Sequence, residues 1–140
     1  MVDPASDEFR LVVPPDPRHV STARIFAAAV ARVAGADETT VEDIKVGISE
    51  ACSMSLRPPA ADGPVEVSIV AEPERLRFEV IGDIPPERAQ GEASEAQTPT
   101  PTGIAATLGR EVVSALFEDA EITGAGGRGT IRFSTPLGTA

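Results

Sequence analysis

The apolar positions of this chain change period several times, and each change marks an element. Phe9 to Val13 (FRLVV) is a short β run, stopped by Pro14, Pro15 and Pro17. Between Arg18 and Ala34, Val20, Ala23, Ala27, Val30 and Ala31 recur at helical spacing, and Gly35 ends the helix. Asp37, with Thr40 as the alternative, suits the cap of a second helix, Thr40 to Leu56, with Val41, Ile44, Ile48 and Cys52 along one stripe; Pro58 and Pro59 stop it. Val65, Val67 and Ile69 then alternate with Glu66 and Ser68, and after a turn around Pro73 so do Leu76, Phe78 and Val80 with Arg77 and Glu79. The alternation predicts an antiparallel hairpin with one buried face. Gly82 to Thr100 has almost no large apolar residue and is expected to be a mobile loop or lid. Pro101 to Phe117 returns to helical spacing, with Ile104, Leu108, Val112, Ala115 and Leu116 on its apolar side. A strand over Ala120 to Thr123, a tight turn over Gly124 to Gly129 and a last strand over Thr130 to Thr135 complete the chain.

The predicted order is β-α-α-β-β-loop-α-β-β. Helices and hairpins are segregated, so the expected class is α+β: a two-layer sandwich of one mixed, mostly antiparallel sheet on a helical layer. Residues 1–7 are expected to be a disordered tail and 8–140 a single domain.

Composition narrows the function. A chain of 140 residues with no Trp, no Tyr and five Phe must build an aliphatic core. It has too few rings for a base-stacking platform. A net charge of -10 argues against direct nucleic-acid binding and against anionic membrane surfaces. One Cys and one His make a structural zinc site a poor expectation, and no metal site is assigned. Cys52, in an apolar helical stretch, reads as a buried thiol. The N-terminus lacks a secretory pattern and no apolar run is of membrane-spanning length, so the expected location is the cytoplasm.

Four places could carry chemistry, each weak alone. Glu50 and Met54 lie four residues apart in the second helix, on one face, with Ser53 at its border. Alone, a helical Glu is most often a solvated surface residue. Gly82 and Asp83 end the hairpin at the mouth of the loop, where a carboxylate is a common ligand and an equally common turn residue. Thr102 and Gly103 open the third helix, where free N–H groups suit a phosphate or simply a capped start. Gly127, Gly129 and Thr130 belong to a glycine-rich turn, phosphate cradle or plain hairpin.

Order and spacing together say more. Ser49-Glu50-Ala51-Cys52-Ser53-Met54-Ser55 on the second helix, the hairpin end Val80-Ile81-Gly82-Asp83, the glycine-marked helix start and the turn Gly126-Gly127-Arg128-Gly129-Thr130 together resemble the Bergerat-fold, or GHKL, ATPases. The resemblance spans roughly residues 8 to 137. It is strongest to the anti-sigma factor serine kinases, and it implies the histidine kinase-like ATPase fold. By this resemblance Glu50 matches a general base. Met54 stands where the family has a Mg²⁺-ligating Asn, and a thioether is a poor ligand for a hard cation. The adenine-binding Asp of the family falls at Gly82 or, with a one-residue slip, at Asp83. Ile84 and Pro85 replace the glycines that follow, and the lid exit is reduced to Thr102-Gly103-Ile104.

The resemblance therefore implies an anti-sigma regulatory factor that binds a sigma factor and an anti-anti-sigma (STAS) partner, commonly as a homodimer. Weak or lost ATP binding is expected, with Mg²⁺ held only together with ATP, and kinase turnover impaired. The alternative is an active ATP-dependent serine kinase that phosphorylates an anti-anti-sigma factor.

Overall fold

The computed structural model describes residues 7–55, 63–84, 101–124 and 127–137; for 83–84, 101–108, 124 and 127 the description covers the backbone alone. Among these described residues five strands form one sheet: β1 (Asp7–Val13), β2 (Val65–Ala71), β3 (Arg75–Ile84), β4 (Glu121–Gly124) and β5 (Gly127–Pro136), in the order β1-β2-β3-β5-β4. All four pairings are antiparallel, where the sequence reading allowed a mixed sheet. Among the described residues three helices, α1 (Val20–Val33), α2 (Glu38–Ser55) and α3 (Pro101–Leu116), join this sheet in an α+β fold, and a short 3-10 turn at Pro17–His19 leads into α1.

Alternation explains the layering. Val65, Val67 and Ile69 of β2, Leu76, Phe78 and Val80 of β3, and Ile131 and Phe133 of β5 are all buried. They meet Ala23, Ala27 and Ala31 of α1 and Val41, Ile44, Ile48 and Cys52 of α2 in one core. Small alanines on α1 let it lie close to its neighbours, so an aliphatic core closes with few rings. The rings present are concentrated: Phe133 stacks on Phe78 at 5.0 Å and on Phe117 at 4.3 Å between centroids. A β-carbon on Gly47 of α2 would stand 2.6 Å from the Phe117 ring, so this helix position must be bare for the ring to seat.

Along the outer side of the sheet the residues are charged and paired across strands. Arg10 meets Glu66 at 2.9 Å and Arg132 meets Glu79 at 2.7 Å, both with exposed guanidinium groups. Such pairs contribute about 0–1 kcal/mol each and mark a solvated face. Where α3 ends, Asp119 accepts the Ser134 backbone N–H at 3.0 Å and the Ser134 hydroxyl, and Arg75 donates to the Ser134 hydroxyl oxygen at 2.5 Å. Burial pushes the Asp119 carboxyl up, but the bonds from Ser134 outweigh it and hold it below the usual carboxylate range.

Several boundaries differ from the sequence reading. β1 begins at Asp7, inside the stretch expected as tail; residues 1–6 lie outside the described residues. Gly82, Asp83 and Ile84 continue β3 through pairs with Gly129, Arg128 and Gly127, rather than opening the expected loop. The rest of that loop, 85–100, lies outside the described residues. The same pairing draws Gly127–Gly129 into β5, so the glycine turn is shorter than expected.

Candidate functional site

Helix α2 places the candidate segment. Asp37 caps it, its Oδ1 accepting the Thr40 N–H at 2.8 Å, and this bond holds the Asp37 carboxyl below its ordinary value. At the other end the Ser55 hydroxyl, buried, donates to the Ala51 carbonyl at 3.2 Å. One residue before Glu50, Ser49 accepts from Arg24 Nη1 at 3.2 Å, which ties α1 to α2.

On this helix Glu50 and Ser53 are half-buried, whereas Met54 is 5% exposed and belongs to the core. What covers Met54 is partly α3. A β-carbon on Gly109 would stand 3.0 Å from Glu50 Oε1, 3.4 Å from Met54 Cγ and 3.7 Å from its sulfur. The α3 backbone thus lies directly on the Glu50–Met54 face of α2. Gly109 was not among the residues expected from the sequence. An isolated glycine inside a helical pattern was the signal that could have found it.

Gly82 and Gly129 are Cα partners on neighbouring strands, and both are buried. Above Gly82 sits the end of α2: a β-carbon there would stand 2.6 Å from Ser55 Cβ and 2.9 Å from its Oγ. No side chain, and so no carboxylate, enters position 82 unless α2 moves. Thr130, half-buried, pairs with Ile81 on one side and Thr123 on the other. Asp83 and Gly127 lie in β3 and β5, and Thr102 and Gly103 in the first turn of α3; the side chains of these positions fall outside the description.

The fold thus gathers Glu50, Ser53 and Met54 on α2 with Gly82 beneath the end of that helix. Its chemical resources are one carboxylate, hydroxyls and a thioether. Among the described residues no three His, Cys, Asp or Glu side chains gather as a metal site. Cys52, two residues before Met54, is buried and its thiol is pushed up to about 12 by desolvation, so it is no nucleophile. Among the described residues no helix is long and apolar enough to cross a membrane.

Comparison with known proteins agrees with this layout. Residues 13–135 match the family described as histidine kinase-like ATPase domain. Among solved structures, the chain is similar to the crystal structure of the RsbU and RsbW domains of Rv1364c from Mycobacterium tuberculosis, at 18% identity and a TM-score of 0.69. The likeness covers 96% of this chain and 33% of that one, so this chain spans about a third of its neighbour. No curated protein sequence matches the chain.

Proposed function

This chain belongs to the histidine kinase-like ATPase family, and from that premise we propose that it is an anti-sigma regulatory factor whose nucleotide binding is weakened or lost. It would sequester a sigma factor and be released by an anti-anti-sigma protein of the STAS type, as a cytoplasmic homodimer. The neighbouring structure that contains an RsbW domain supports the anti-sigma branch of the family, through likeness of fold.

The observation that carries the loss of nucleotide binding is Met54. A Mg-ATP site needs hard oxygen donors near the phosphates, and position 54 offers a buried thioether. Position 82 adds to this, because Ser55 leaves no room for a carboxylate there. Mg-ATP does not fit the described residues of this face. Glu50, half-buried, keeps the carboxylate that the resemblance matches to a base, which alone favours the kinase alternative.

The test is binding of a purified sigma factor and a purified STAS protein from the same cells, each titrated calorimetrically onto the chain, with radiolabelled ATP supplied to the STAS mixture. The proposal expects complexes with both partners and no transfer of label. Labelled STAS protein would establish the kinase instead. Absence of both complexes would remove the anti-sigma reading.

A further inference from the structure

We propose that the open edge of β1, with the outer flank of α1 above it, docks a second copy of this chain, so that two five-stranded sheets run on as one. The inference rests on the homodimer reading and deepens it by giving that dimer an interface.

β1 stands at one end of the strand order and, among the described residues, pairs with β2 alone. Its other side presents a row of backbone N–H and C=O groups, a template for a further strand. α1 starts just past the end of β1 and packs back over β1 and β2, while α2 packs over β3 and β5. The outermost helix on the β1 side is therefore α1. Its Arg24 and Arg32 turn toward α2, where they meet Ser49 and Glu38. At helical spacing the side away from α2 carries Phe26, Ala29 and Val33, with Ile25 beside them. Phe26 is half-buried and Ala29 exposed, while Ile25 and Val33 are 68% and 83% exposed. None of these four is charged, in a chain whose net charge is -10.

Charge decides both the occupant and the register. Two molecules of net charge -10 repel, so a self-interface must balance its charge locally. A twofold axis normal to the sheet keeps both helical layers on one side and centres the pairing of the two β1 strands on a single residue. Centred on Glu8 or Arg10, the pairing opposes like charges. Centred on Leu11, it sets Arg10 against Val12 and Glu8 against Pro14, which has no N–H. Centred on Phe9, it sets Glu8 of each copy opposite Arg10 of the other, and Phe9 opposite Phe9. Both charged side chains are exposed on the outer face of the sheet and already stand 3.2 Å apart within one copy. The strand is thus complementary to itself in this register. The helices agree with it. Paired strands lie about 4.8 Å apart, so two helices each seated over β1 and β2 would stand about 10 Å apart across the axis, the spacing of packed helices. Ala29, midway between Ile25 and Val33, leaves room for that approach.

A charge exchange between two chains tests the interface. The Kd of self-association is measured by sedimentation for the full chain, for Glu8→Arg and for Arg10→Glu. Each variant alone opposes like charges twice and should self-associate at least tenfold more weakly than the parent. Mixed in equal amounts, the two present opposite charges at both positions and should pair within about threefold of the parent Kd; a mixture no tighter than either variant alone would overturn the interface. Val33→Glu, at an exposed position, should also weaken the dimer at least tenfold, and an unchanged Kd would overturn the helix flank. Should a charge variant fail to fold, cysteine pairing decides. Phe9→Cys should form a disulfide-linked dimer on mild oxidation and Leu11→Cys should not, with Cys52 buried and out of the exchange. No link through position 9, or an equal one through position 11, would overturn the register. A parent that stays monomeric at about 100 µM would remove the homodimer reading and this interface with it, whereas a parent dimer indifferent to every change would overturn the interface alone.

Discussion

Replacing Met54 by Asn separates a closed face from an emptied one. Were position 54 an open wall of a nucleotide site, Asn would restore a hard oxygen donor at little cost and Mg-ATP would then bind. The structure gives a different expectation. Met54 is 5% exposed, with Gly109 of α3 against its Cγ and sulfur. Burying a Met side chain contributes about 1.5–3 kcal/mol, most of which the change to Asn forfeits. A buried amide without partners costs about 1–3 kcal/mol more. The sum, about 3–6 kcal/mol, is a large part of the 5–15 kcal/mol that ordinarily holds a domain together. For a chain of this length it corresponds to a fall in Tm of about 10–20 °C. Thermal melts by circular dichroism, with and without 5 mM Mg-ATP, measure both effects at once. The expected result is the large fall with no ligand-induced recovery. A variant that melts within about 2 °C of the parent and gains several degrees from Mg-ATP would refute the packing of this face.

Cys52 is expected to resist a thiol reagent at pH 8 in the native protein and to react fully in denaturant, because burial raises its thiol to about 12; fast native labelling would contradict that burial. Asp37 and Asp119 have folded-state values below their ordinary 3.8, so the stability they contribute is present above pH 4 and is lost as pH falls through the lower folded values. Tm should therefore fall below about pH 4, less steeply in Asp37→Ala; a Tm that rises on acidification would contradict the sign. Phe133→Ala removes the ring shared by the two stacks and should cost about 3–5 kcal/mol in urea unfolding, while a cost under about 1 kcal/mol would mean that the ring cluster is not central.

Elements whose pattern is repeated and local were legible in the sequence. The alternation in Val65-Glu66-Val67-Ser68-Ile69 and Leu76-Arg77-Phe78-Glu79-Val80 reported the buried face directly, and these residues pair in the hairpin expected. The cap at Asp37 was legible too, because a cap depends on residues three apart. Positions decided by a distant neighbour were not. Gly82 reads as a loop residue by composition, yet β5 pairs with it and extends the strand to Ile84. Gly109 reads as a weak helix former, yet its meaning lies in Met54 and Glu50, far away in sequence. Met54 itself read as a substituted ligand position; that it is packed by α3 follows only from where the third helix lies. The same limit hid Ser55, whose contact with Gly82 joins the end of α2 to β3 across the whole of β2.

As proposed above, this chain is a partner-binding domain that works without nucleotide. Its most direct test is the Kd for the sigma factor of the same cells, measured by calorimetry in the absence and presence of 5 mM Mg-ATP. The expected result is a complex whose Kd is the same within about twofold in the two conditions. A Kd that tightens tenfold or more with Mg-ATP, about 1.4 kcal/mol of coupling, would contradict it.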